Sequence, residues 1–219
     1  MKRPALPSRG TLTVMAIALL CLLAWPGLRH GLEASMTRHM LVQYPLLSLT
    51  GYLLAAAMPD HWRVHLGRWN AHGISGLFAT AVILAILMIP RVLDLALVDG
   101  RIEILKWLAL LACGAAIRLS WQAAGLLVQG FFLGNVLPMT AVVGNLYETS
   151  PVRVCNAYLL DDQARLGQMM VWISATIAAA WFAGLVRALM RKDAAMLPDA
   201  QDDTVATAVT AVTAKPVAR

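Results

Sequence analysis

Hydrophobic residues in this chain come in long blocks rather than in narrow helical stripes, and short polar segments separate one block from the next. Blocks of that kind predict helices that are apolar all round, and crossing a bilayer core takes about 20 such residues. Six segments qualify: residues 11–25, 40–58, 73–97, 104–120, 123–144 and 167–189. Between 102 and 146 the apolar character is interrupted at Arg118 and Gln122, where no proline or Gly-Asn turn marks the break. A single helix of that length does not fit a bilayer without extreme tilt, so a tight hairpin is expected there.

Composition agrees with this pattern. The 219 residues are 59% hydrophobic and 14% charged, the mean hydropathy is +0.67, and soluble domains carry about 25% charged residues. The expected fold class is all-α: a polytopic transmembrane bundle of about six spans. Residues 1–10 form a cytoplasmic N-terminus, 11–192 the transmembrane domain and 193–219 a disordered tail. The tail is a low-complexity stretch of Ala, Thr, Val and Asp with no core-forming pattern.

The opening residues also have the charged start and apolar run of a secretory signal. No small-residue cleavage site precedes Arg29 and His30, which favours a retained first span.

The net charge of +6 would point to nucleic acid in a soluble protein. Here the basic residues flank apolar runs, where they act as topology signals, and no nucleic-acid partner is expected. Lys2, Arg3 and Arg9 precede the first run and Arg187, Arg191 and Lys192 follow the last. Both termini are therefore expected in the cytoplasm, with 29–38, 91–103 and 147–165 outside and 59–71 and the Arg118 turn inside. Cys21, Cys113 and Cys155 have neither CxxC spacing nor an even count suited to a disulfide framework. No phosphate-binding glycine loop, GxSxG or HExxH occurs, and no enzymatic activity is expected.

Polar groups near a span are costly unless paired or wetted, and three clusters stand out. Met36, His39, Met40 and Gln43 share one helical face at the start of the second run. Imidazole and thioether are ligands that Cu(I) accepts, though an interfacial stripe has the same appearance. The segment DDQARLGQMM opens the last run, with Asp162 in register with Met169, Gln163 in register with Met170, and Gly167 open to close helix approach. Capping of its own helix explains one of its acidic residues but not the whole pattern. His61, His65, Arg68 and His72 form the third cluster, and interleaved Trp62 and Trp69 make it an interfacial anchor helix or a histidine metal site.

Three segments together resemble the CtaG-type cytochrome c oxidase assembly factors, multi-span bacterial membrane proteins associated with copper delivery. They are RHMLVQYPLLSLTG, NVLPMTAVVGNLYETSP and DDQARLGQMMVW. The match points to His39, Met40, Asp162, Gln163, Gly167 and Met170, and more weakly to His72, Arg91 and Asp94. It departs from the family at Gln43, where the pattern has a second histidine, and in having six runs against about seven.

The resemblance implies a membrane-embedded accessory factor of the bacterial inner membrane that takes part in oxidase assembly through copper delivery or insertion. A respiratory oxidase subunit or a copper chaperone is the implied partner, and the lipid bilayer is the surrounding solvent. The expected copper set is His39, Met36 and Met40 with Asp162, Gln163 and Met170, brought together where the second and sixth runs begin. Two alternatives stand beside it. A b-haem or quinone-binding redox protein would need facing histidines. A small transporter would need a buried charge, for which Arg118 is the sequence candidate.

Overall fold

The computed structural model describes residues 8–213, with side chains through 191, and every regular element among them is helical. The helices are α1 (Arg9–Ala24), α2 (Pro26–Glu33), α3 (Met36–Ala57), α4 (Asp60–Trp69), α5 (Ile74–Leu87), α6 (Pro90–Val98), α7 (Gly100–Ser120), α8 (Gly125–Thr149) and α9 (Leu160–Thr213). Among the described residues, three helices are long and apolar enough to cross a membrane, or up to five if each of two bent pairs counts as one span. The three are α3, α8 and the Leu160–Arg191 part of α9. The bent pairs are α1 with α2, at 68°, and α4 with α5, at 82°.

Three expectations change. The run at 73–97 is not one helix: it breaks at Ile89, which is extended ahead of Pro90. Proline denies its predecessor the helical region and removes a donor, so α6 starts afresh. The run at 104–120 is helical within α7, yet Arg101, Glu103, Lys106 and Arg118 leave it outside the composition of a span. The third change concerns the tail. Helical backbone continues to Thr213, consistent with the high helix propensity of its alanines; residues 214–219 lie outside the described residues. The expected break is present, with α7 ending at Ser120 and α8 starting at Gly125, whose φ is 55°, although the two helices pack on α5 rather than on each other.

The chain divides into two compact units, one reaching to Ala175 and one from Thr176 onward. Small residues let helices of the first unit cross closely. A Cβ on Gly51 would overlap the Leu111 carbonyl and one on Gly114 the Ser48 carbonyl, so α3 and α7 pass backbone against backbone. Gly144 of α8 and Gly167 of α9 meet in the same way. Lipid offers apolar helices no hydrophobic reason to associate, and close packing of this kind supplies one through van der Waals contact.

Polar contacts then fix the two ends of this unit. At one end Arg9 pairs with Asp60 at 2.5 Å, and Asn70 donates to the Ser120 hydroxyl at 2.8 Å while accepting from the Gly76 N–H. Gly73 turns the chain there with a φ of 69°. At the other end lie α2, α6, the loop 150–159 and the starts of α3, α7 and α9. Tyr147 donates to the Met88 carbonyl at 2.8 Å, and Asp94 accepts from the backbone N–H groups of Asn156 and Ala157.

Candidate functional site

The start of α3 departs from regular helix. Residues His39–Gln43 form a π-helical turn, and Pro45 follows without an N–H to continue the ladder. Such bulges insert a residue and turn side chains that regular helix would aim elsewhere, often at functional sites. Here they divide neighbouring residues between two environments: His39 and Gln43 enter a polar cluster, Met40 and Tyr44 an apolar cavity.

The polar cluster is built around Lys106 of α7, which is 1% exposed. Its ammonium lies 2.9 Å from His39 Nε2, 3.3 Å from Gln43 Oε1 and 3.5 Å from Glu33 Oε1. A protonated lysine has three N–H bonds and no acceptor, and these partners use all three. The other ring nitrogen, His39 Nδ1, is 2.7 Å from the Tyr158 hydroxyl, which donates to the Glu33 carbonyl at 3.1 Å. One proton arrangement satisfies every contact: Tyr158 donates to Glu33, His39 donates through Nδ1, and Nε2 accepts from Lys106. Burial, with the Glu33 carboxylate nearby, pushes the Tyr158 hydroxyl above its ordinary pKa and keeps it protonated. Gln43 donates to Glu33, and Arg29 bridges Glu33 at 3.6 Å and Glu103 at 3.2 Å. The result is an alternating ladder of Glu103, Arg29, Glu33 and Lys106 that ends on a neutral histidine.

Asp162 has a different role from the expected one. It accepts from the Met36 N–H at 2.5 Å and from the Ser35 and Thr37 hydroxyls at 3.0 Å each. It therefore caps α3, a helix distant in sequence, rather than its own, and satisfies donors at that helix's positive end. Gln163 accepts from the Val154 N–H at 2.8 Å and donates to the Tyr147 carbonyl at 3.2 Å, which fastens the 150–159 loop.

Of the six residues expected to share a metal, Met40 and Met170 line one cavity. It measures about 170 Å³ and is also lined by Met88, Tyr44, Ser48 and Thr140. Met36 is fully buried in the core beside them. The Tyr44 hydroxyl is buried and has no hydrogen-bond partner. Burial and the Asp94 carboxylate push the Cys155 thiol up to about 12. Among the described residues no group of three or more His, Cys, Asp or Glu side chains converges as a metal site. His61, His65 and His72 are exposed on or beside α4, with Trp62 and Trp69, as an interfacial anchor requires.

Sequence reasoning missed Lys106, Glu33, Arg29 and Tyr158. Arg118, the charge it singled out, instead lies over the Tyr52 ring, 5.7 Å from its centre. The signal available was Glu103 and Lys106 on one face of an otherwise apolar run, which reads equally as a snorkelling helix end. Compared with known protein families, curated proteins and solved structures, the chain finds no match.

Proposed function

We propose that the chain is a membrane-embedded accessory factor, not an enzyme, that serves assembly of a respiratory oxidase by delivering or inserting copper. The observation that carries this reading is that two of the segments resembling the assembly factors lock onto one another. Asp162 of the last segment binds Ser35, Met36 and Thr37, the three residues that lead into the early one at Arg38, across more than a hundred residues of sequence. Two of the three segments that suggested a function therefore adjoin, which supports the reading.

Orientation belongs to the same proposal: six traverses, α7 included, with both termini in the cytoplasm of a bacterial inner membrane. Charge sorting supports it. The end bearing α4 carries Arg9, Arg63, Arg68 and Arg118 against Asp60, its one carboxylate among the described residues. The His39 end mixes acids and bases. By the positive-inside rule the His39 end faces outward, where a copper chaperone or an oxidase subunit would meet it. The test is copper content of the oxidase in cells lacking this chain: loss that is restored by the wild-type gene supports the reading, and a fully metallated oxidase contradicts it.

The buried Lys106–Glu33 pair favours a second reading, a small transporter, since charges inside a bundle mark ion and substrate paths. Ion flux into vesicles holding the purified protein, lost on Lys106→Met, would support transport over assembly.

A further inference from the structure

Copper delivery leaves open which atoms hold the ion, and the expected set does not survive as one site. Both His39 nitrogens are engaged, one by an ammonium that repels any cation. Asp162 and Gln163 are turned to backbone and hydroxyl groups. What remains is thioether. Met40 on α3, Met88 in the α5–α6 junction and Met170 on α9 line one cavity, although they are far apart in the chain.

We propose that Met40, Met88 and Met170 together hold a single Cu(I) ion in this cavity, with Tyr44 beside it; the inference rests on the copper reading above. Thioether is a soft neutral donor that selects Cu(I) over Zn(II), Mg(II) or Ca(II). Methionine has three rotatable side-chain bonds, so thioethers that line one cavity of about 170 Å³ can turn toward a shared ion and away again to release it. A neutral donor set in a low-dielectric interior also favours the singly charged ion over a divalent one.

Two further observations fit. Tyr44 is 7% exposed, lines the cavity and has an unpartnered hydroxyl, the kind of orphan that a bound species or its accompanying water would satisfy. The helix bearing Met40 and Tyr44 is irregular at that point, through the π-helical turn and Pro45. Glu33 balances the ammonium of Lys106, one turn along α7 from the cavity residue Leu110. Binding involves no electron transfer, since copper enters and leaves as Cu(I).

The experiment is a Cu(I) titration of the full chain in lipid nanodiscs against a chromophoric Cu(I) chelator under reducing conditions. Wild type is expected to bind one ion. Met40→Leu, Met88→Leu and Met170→Leu keep volume and apolarity, and each is expected to weaken binding at least about tenfold, since even the indirect partners of a ligand are worth about 10- to 100-fold. The triple variant is expected to bind none, while Asp161→Ala, an exposed change outside the cavity, binds as wild type does. Retained circular dichroism and monodisperse elution show that each variant is folded. If a folded triple variant binds as wild type does, the thioether site is overturned and copper handling moves elsewhere on the chain. If wild type binds no Cu(I), the copper reading itself falls.

Discussion

Two clusters on adjacent faces of α3 show opposite states of satisfaction. Around Lys106 the three ammonium N–H bonds, both His39 nitrogens and the Tyr158 hydroxyl are all engaged, and only the Arg29 Nε–H at the edge of the cluster lacks a hydrogen-bond partner. Around Tyr44 the surroundings are largely thioether and hydrocarbon, and a buried hydroxyl is left with nothing to bind. Satisfaction this extensive rigidifies, because any rearrangement strands a charge. An orphan in a cavity does the reverse and leaves room for a ligand to improve matters. The polar cluster is thus read as the clamp of the bundle and the cavity as the place where binding occurs.

The strongest way to break this comparison is to remove the clamp's centre. Lys106→Met takes the donor from His39 Nε2 and one of the two cationic partners from Glu33, and is expected to cost about 1.5–3 kcal/mol, read as earlier unfolding in denaturant-titrated micelles. A Lys106→Met chain as stable as wild type would mean that the cluster clamps nothing.

Next in size is the helix crossing that supports both clusters. Gly114→Ala drives a methyl into the Ser48 carbonyl and is expected to cost about 1–3 kcal/mol. Gly134→Ala, where a Cβ meets nothing within 4 Å, is expected to be neutral or to stabilise by up to about 1 kcal/mol.

Capping comes third. Asp162→Ala removes the acceptor for the start of α3 and is expected to cost about 1 kcal/mol. Asp161→Ala removes an exposed neighbour and should change stability by less than about 0.5 kcal/mol. Equal losses in the two variants would reduce the Asp162 contacts to ordinary surface charge.

The smallest stability effect falls on the cavity: Met170→Leu is expected to cost less than about 1.5 kcal/mol while weakening copper.

Sequence patterning made much of this legible. Apolar blocks located most of the helices, and the face shared by Met36, His39, Met40 and Gln43 is indeed buried, with none of the four more than 6% exposed. The break at Pro90 and the charges of α7 were in plain sight, but hydropathy averages over both. Lys106 was not recognised because a lysine near the start of an apolar run usually snorkels. Only the positions of Glu33, Gln43 and His39 in space show that this one does not. Asp162 was expected beside a metal, with capping of its own helix as the alternative, yet the helix it caps lies far away in the sequence and no local pattern encodes that. Met88 carried no signal at all: its link to Met40 and Met170 arises from the packing of α3, α5 and α9 around one cavity.

The division between clamp and cavity is tested most directly by X-ray absorption at the copper edge of the wild-type chain loaded with one equivalent of Cu(I). The account predicts a first shell of sulfur with no imidazole multiple scattering, because His39 stays with Lys106 and Tyr158. An imidazole in the shell would contradict it, since His39 could join the copper only by abandoning those partners.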